Sequence, residues 1–277
     1  MRLVRHFLCL FMRMKHLFLF TFLWVAMYVT AQDTSANRNA SKRLLYPVLW
    51  QQTAAEYRAL CYQAYHSAAE QIAHLPRKMR RKKNLAIITD IDETVLDNSY
   101  FEAQLIKNNA SYSDAFWKQW VSKSAATTVP GAVAFLQMAA KKRMQVFYVS
   151  NRDAGSEAAT LINLKQYHFP NADTSHLLFK KEISSKESRR QSVMKNYNVV
   201  MLLGDNLADF SSLFEQQNIE NRLAKTDKMK EEWGSKFIVL PNPMYGDWEG
   251  AFYQYQYNIN EPQKEEILIK LLKGFIQ

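Results

Sequence analysis

The chain has 277 residues, of which 48% are hydrophobic and 22% charged, with a formal net charge of +10. That length and balance exclude a disordered or fibrous chain and suit one large domain, or a domain carrying a subdomain. No tandem repeat or low-complexity tract is present, which excludes solenoids and arrays.

The first 31 residues read as a secretory signal peptide. Arg2, Arg5, Arg13 and Lys15 supply positive charge, no acidic residue precedes Asp33, and an apolar run from Leu17 to Val29 leads to Val29-Thr30-Ala31. The order basic, apolar, small marks an export segment, and the run is too short for an ordinary membrane span. The mature chain is therefore expected to be periplasmic or secreted, with no stable membrane span. Cleavage lowers the formal charge from +10 to +6, because four basic and no acidic residues leave with the segment. It also leaves Cys61 as the single cysteine, so no intramolecular disulfide can form. Gln32, not a cysteine, follows the cut, so lipid anchoring is not expected.

Residues 32–43 are polar and aperiodic and read as a flexible tether. From Tyr46 to about Leu75 the residues Leu49, Ala54, Tyr57, Leu60, Cys61, Ala64 and Ala68 keep helical spacing, predicting one long helix or two shorter ones. The aromatic stripe Trp50, Tyr57, Tyr62 and Tyr65 is assigned to core packing. The clusters Arg77–Lys83 and Lys186–Arg190 read as solvated surface. Aromatic residues are not interleaved with them, so nucleic acid is not an expected partner.

Four short apolar runs predict buried strands: 85–90, 146–149, 199–203 and 237–240, with a weaker fifth at 176–179. Helical patterns lie between them at Gly131–Lys142, Ser156–Tyr167 and Lys186–Tyr197. Alternation of strand and helix predicts an α/β domain on a mainly parallel sheet, over 44–277. Residues 44–78 and 98–129, the latter rich in aromatics and lacking a strand run, are candidates for a small helical subdomain.

The chemistry is expected at the carboxyl ends of the strands, where open parallel sheets form their ligand crevice. The first run ends in Asp90-Ile91-Asp92-Glu93-Thr94, the second in Ser150-Asn151-Arg152-Asp153, the third in Gly204-Asp205-Asn206. Asp90 and Asp92 point the same way while the chain stays extended. One carboxylate can attack phosphorus while the other gives a proton to the leaving oxygen. Phosphomonoester hydrolysis needs accelerations of up to ~10²¹, and two carboxylates repel a phosphate dianion, so the site needs cations. Mg²⁺ suits Asp90, Asp205 and a main-chain carbonyl. Ser150 would hydrogen-bond a phosphate oxygen, with Asn151 beside it as a candidate substrate contact. Lys180, Lys181 and Lys186 are the candidates for a lysine that holds the phosphate.

The segments DIDETVLDNS (90–99), YVSNR (148–152), SSKESRR (184–190) and GDNLADF (204–210) resemble the four motifs of the haloacid dehalogenase superfamily. Their wording is similar to the class C acid phosphatases, the bacterial surface 5′-nucleotidase group. Further likeness lies at VLWQQTAAEYRALCYQAY (48–65), FWKQWV (116–121), VPGAVAFL (129–136) and PNPMYGDWEG (241–250). The resemblance implies a Rossmann-like core with a small helical subdomain. It implies Asp90 as nucleophile, Asp92 as acid and base, and Ser150 and Lys186 on the phosphate. It further implies Mg²⁺ on Asp90, the carbonyl of Asp92 and Asp205, with Asp209 in support, and a nucleotide base or ring stacked by Trp117 and Tyr245. The expected activity is hydrolysis of small phosphomonoesters such as nucleoside monophosphates. A phosphotransferase using the same aspartyl-phosphate, or a binding protein without turnover, are the alternatives. A homodimer is an allowed assembly.

Overall fold

The computed structural model describes residues 43–275; the expectations for the export segment, its cleavage and most of the tether lie outside them. Residue 43, assigned above to the tether, is already helical.

Five strands build one sheet: β1 (Leu85–Thr89), β4 (Gln145–Asp153), β5 (Leu177–Lys180), β6 (Asn198–Gly204) and β7 (Phe237–Val239). Their order is β5-β4-β1-β6-β7 and every pairing is parallel. The fold is thus α/β, with all five carboxyl ends at one edge. The middles of the strands are apolar because both faces are covered. Alternate residues divide between two cores, as the two-residue period of a strand requires. Ile87, Val146, Tyr148, Met201 and Leu203 enter one, while Ala86, Ile88, Phe147, Val149 and Leu202 enter the other. Full burial of each large aliphatic side chain contributes about 1.5–3 kcal/mol.

The helical stretch before β1 is two elements, α1 (43–53) and α2 (Ala55–Ala73), interrupted at Ala54. The buried stripe of α2 is Tyr57, Cys61, Tyr65, Ala68 and Ile72, spaced by three and four. Two expectations fail here. Leu60 lies off the stripe and is exposed, and Tyr62 is 50% exposed, so it is no part of a core stripe. The short helix α3 (Arg77–Arg80) then leads into β1. α2 packs on α6 (Ala132–Lys141), and the close approach explains Gly131. Its φ of +90° is left-handed, and a Cβ there would meet Tyr65 at 3.0 Å.

The segment after β1 holds α4 (Ser99–Asn108) and α5 (Asp114–Ser122). It does carry a strand, against expectation: β3 (Thr127–Thr128) pairs antiparallel with β2 (Leu96–Asp97). Two residues per strand are too few to show as a hydrophobic run. The remaining helices are α7 (Glu157–Gln166), α8 (Glu187–Met194), α9 (Ile219–Lys228), α10 (Asp247–Phe252) and α11 (Glu261–Leu271). No helix among the described residues is long and apolar enough to cross a membrane.

The cluster 77–83 is exposed as expected, but 186–190 is not uniformly so. Lys186 is buried, and Arg190, at 1% exposure, donates to the carbonyls of Ala208 (2.7 Å) and Asp209 (3.0 Å). A run of charges on a helix betrays nothing of which members turn inward.

Candidate active site

β1 delivers Asp90 at its carboxyl end, where the main-chain N–H of Asp90 still donates to Leu203 of β6 (2.9 Å). The chain then turns tightly. Glu93 takes a left-handed φ of 56°, and Val95 and Leu96 both donate to the carbonyl of Ile91 at 2.9 Å. Such a conformation is costly for a non-glycine residue and persists only where its surroundings hold it. Glu93 is held by the N–H of Asn98 (2.6 Å) and by the hydroxyl of Tyr245.

Beyond β6, Asp205 and Asp209 meet Asp90: one carboxylate oxygen from each lies within 4.8 Å of the others. Gly204 makes this approach feasible, because a Cβ there would stand 2.4 Å from Asp209. Lys186, at the start of α8, donates to Asp90 and to Asp209 (2.6 Å). Thr94 donates to Asp205 Oδ1 at 3.2 Å and Asn242 to Oδ2 at 2.8 Å. Of the three lysines considered, Lys186 is the one that reaches the cluster; Lys180 and Lys181 make no hydrogen bond or ion pair with it.

Three carboxylates, two of them buried, face one ammonium group, which bonds Asp90 and Asp209. Burial, and after it Asp209 and Asp92, push the carboxyl of Asp90 up to about 7 against the pull of Lys186. Burial, Asp209 and Asp90 likewise hold Asp205 well above the usual range. Burial works to discharge Lys186, but Asp209 and Asp90 outweigh it and raise its pKa. The arrangement is short of positive charge. Its donors are all oxygen, so it fits a hard divalent ion and not a thiophilic one. Asp90, Asp205 and Asp209 would hold that ion.

Asp92 turns away from the three. Its Oδ1 accepts from Nδ2 of Asn98 (2.8 Å) and from Nη2 (2.8 Å) and Nε (3.1 Å) of Arg152. Its Oδ2 accepts from Arg152 Nε at 3.2 Å and Ser150 Oγ at 3.4 Å. The carboxylate of Asp92 is therefore outside the metal-type cluster. Ser150 is buried and accepts from the N–H of Arg152 (3.0 Å). Asn151 is exposed, its Oδ1 taken by Arg189 at 2.6 Å.

Trp117 and Tyr245 are half-buried. Trp117 packs edge-on to Phe101 with centroids 5.1 Å apart, and the Arg152 guanidinium lies 5.7 Å over its ring. Tyr245 is tied by its hydroxyl to Glu93. Sequence reasoning left several residues of this site unassigned: Asn98, Arg152, Arg189 and Asn242. Arg152 carried a signal, for it follows Ser150 by two in an extended strand and so returns to the same side.

Comparison with known proteins agrees with this geometry. The family model for the HAD superfamily, subfamily IIIB (Acid phosphatase), matches residues 23–248. The chain belongs to that family. Among solved structures, the class C acid phosphatase from Bacillus anthracis is 35% identical with a TM-score of 0.81, covering 86% of this chain and 99% of its own. The same enzyme with tungstate bound matches with the same identity, coverage and TM-score. The chain is thus a class C acid phosphatase, a phosphomonoester hydrolase on a haloacid dehalogenase-like α/β fold.

Proposed function

We propose that this phosphatase is an exported, Mg²⁺-dependent enzyme that hydrolyses nucleoside monophosphates and other small phosphomonoesters through an aspartyl-phosphate on Asp90. One observation carries the reading: Asp90 and Asp92, two residues apart, stand in opposite electrostatic surroundings. Asp90 sits among carboxylates and Lys186, while Asp92 is held by Arg152 and Asn98. Paired carboxylates with divergent surroundings are what a nucleophile and an acid require.

An Asp90 oxygen attacks phosphorus as the ester P–O bond breaks. Asp92 gives its proton to the departing oxygen. Asp92 then takes a proton from water, whose oxygen attacks phosphorus, breaks the bond to Asp90 and frees phosphate. Lys186 holds charge on Asp90 and on the transferred group, and the Ser150 hydroxyl donates to a phosphoryl oxygen. A bound Mg²⁺ supplies charge neutralisation for the phosphoryl oxygens and Asp90. The tungstate held by the Bacillus anthracis relative, a tetrahedral oxyanion like phosphate, supports an oxyanion subsite. Trp117 and Tyr245 offer aromatic faces for a base, and the basic, apolar, small order of residues 1–31 supports export.

Phosphate release from p-nitrophenyl phosphate and a panel of nucleoside monophosphates, with and without chelator, tests this reading. Chelator removes activity and Mg²⁺ restores it, while Asp90→Asn lowers turnover by at least about 10³-fold with an unchanged circular dichroism spectrum. Chelator-resistant release, or activity persisting in Asp90→Asn, overturns the reading.

A further inference from the structure

Asp92 is gripped in a way the acid–base step alone does not explain. Arg152 is buried at 3% exposure, and each of its three guanidinium nitrogens donates a hydrogen bond. Nε and Nη2 meet Asp92 as a fork, Nη1 donates to Thr160 Oγ1 at 3.0 Å, and one face lies over Trp117. Thr160 is itself fixed, donating to the carbonyl of Ser156 at 2.8 Å. On the opposite flank Asn98 donates to Asp92 while its own Oδ1 accepts from the Trp120 indole at 2.8 Å.

The two oxygens of Asp92 differ as a result. Oδ1 accepts three N–H groups at 2.8, 2.8 and 3.1 Å, which leaves it no room for a proton. Oδ2 accepts two longer contacts, at 3.2 Å from the Arg152 Nε that also meets Oδ1 and at 3.4 Å from Ser150, and the second is given up when the Ser150 hydroxyl turns to a phosphoryl oxygen. We infer that Arg152, backed by Thr160 and Trp117, is a positioning residue that fixes Oδ2 as the proton-carrying oxygen and aims it at the leaving group. The inference rests on the acid role proposed for Asp92. In the step it serves, the Asp92 Oδ2–H bond breaks and the proton joins the ester oxygen. The P–O ester bond breaks as the bond from Asp90 to phosphorus forms.

A guanidinium is chosen here for its geometry. A planar fork locks both the rotation and the distance of a carboxylate, whereas the ammonium of lysine is a point charge that leaves the carboxylate free to turn. The contact with Trp117 adds a consequence. The ring proposed to stack on the substrate also forms one wall of the seat for Arg152, so a bound aromatic group and the acid share one support.

The test is the dependence of kcat/KM on the leaving group, since kcat/KM covers only the steps through its departure. A nucleoside monophosphate loses a basic alkoxide that needs the proton; p-nitrophenyl phosphate loses a phenolate that hardly does. In Arg152→Gln, kcat/KM for the nucleotide falls by about 10²-fold or more, and that for p-nitrophenyl phosphate by less than about tenfold. Arg152→Lys keeps the charge but not the fork, and shows the same bias to a smaller degree. The ratio of two substrates in one sample does not depend on how much of a variant is folded, so a buried substitution that lowers yield still gives an answer. Thr160→Val, which removes only the outer support, shifts the ratio in the same direction.

Asp92→Asn separates the inference from its foundation. If Asp92→Asn lowers both substrates equally, the acid role of Asp92 fails and the inference falls with it. If Asp92→Asn discriminates between leaving groups while Arg152→Gln and Arg152→Lys do not, the acid role stands and the positioning role of Arg152 is overturned.

Discussion

At the scale of single residues, Lys186 is the sharpest case of sequence position hiding physical role. It sits in a run of charged residues that reads as solvated helix, yet its ammonium group lies between Asp90 and Asp209. Removing it leaves buried carboxylates facing one another, a situation that typically costs 3–5 kcal/mol when one partner of a buried pair is lost. Lys186→Met keeps the bulk and removes the charge. In chelator, its urea unfolding free energy is expected to fall by about 3–5 kcal/mol. In excess Mg²⁺ the loss shrinks, because an added cation takes over part of the neutralisation. A variant as stable as the parent in chelator would mean that Lys186 carries no structural charge, whatever its part in turnover.

At the scale of elements, the joint between α4 and α10 stores a pH dependence. Glu102 of α4 is buried, and burial first, then Glu249 of α10, push its carboxyl up to about 7. Burial also raises Glu249 against the pull of Lys264 and Arg43. Glu102 therefore binds a proton more tightly folded than unfolded. Its stabilising protonation is fully present below the unfolded value near 4.5 and is lost as pH rises through about 7. The span is on the order of 3 kcal/mol. Glu102→Gln is expected to raise the thermal midpoint at pH 8 and to flatten the decline between pH 5 and 8; an unchanged slope would place the acid-favouring behaviour elsewhere. None of this was legible in the sequence, since a lone glutamate in a helix gives no sign of which helix it will face. The strands were legible for the opposite reason. β1, β4 and β6 are buried on both faces, so continuous apolar runs mark them. The polar ends of those three strands marked the site where Asp90 meets Asp205 and Ser150 reaches Asp92. What escaped were short or mixed elements: the paired β2 and β3, the exposed helix α9, and α10 and α11 beyond the last strand. The supports Asn98, Arg152 and Asn242 also escaped, because their function is a contact across the fold and not a pattern along the chain.

At the scale of the whole molecule, the carboxylate cluster ties together segments distant in sequence. Asp90 follows the central strand, Asp205 and Asp209 follow its neighbour β6, and Lys186 opens a helix outside the sheet. An ion bound there would join these segments only while they are folded together, so it stabilises the global fold and not one element. Linkage gives the size: a ligand at one hundred times its dissociation constant adds about 2.7 kcal/mol. For a domain of this length, that raises the melting midpoint by about 5–10 °C. Mg²⁺ added to chelator-treated protein should produce this rise, while sodium chloride at matched ionic strength should not, because screening acts weakly on buried groups. Asp205→Asn removes a ligand whose oxygens are otherwise held, among the described residues, by Thr94 and Asn242, so its midpoint should respond to Mg²⁺ far less. Melting is independent of turnover, so it reads the ion's seat without any appeal to catalysis. An equal shift in the parent and in Asp205→Asn would place the ion away from the strand ends, and with it the charge balance on which the phosphoryl chemistry depends.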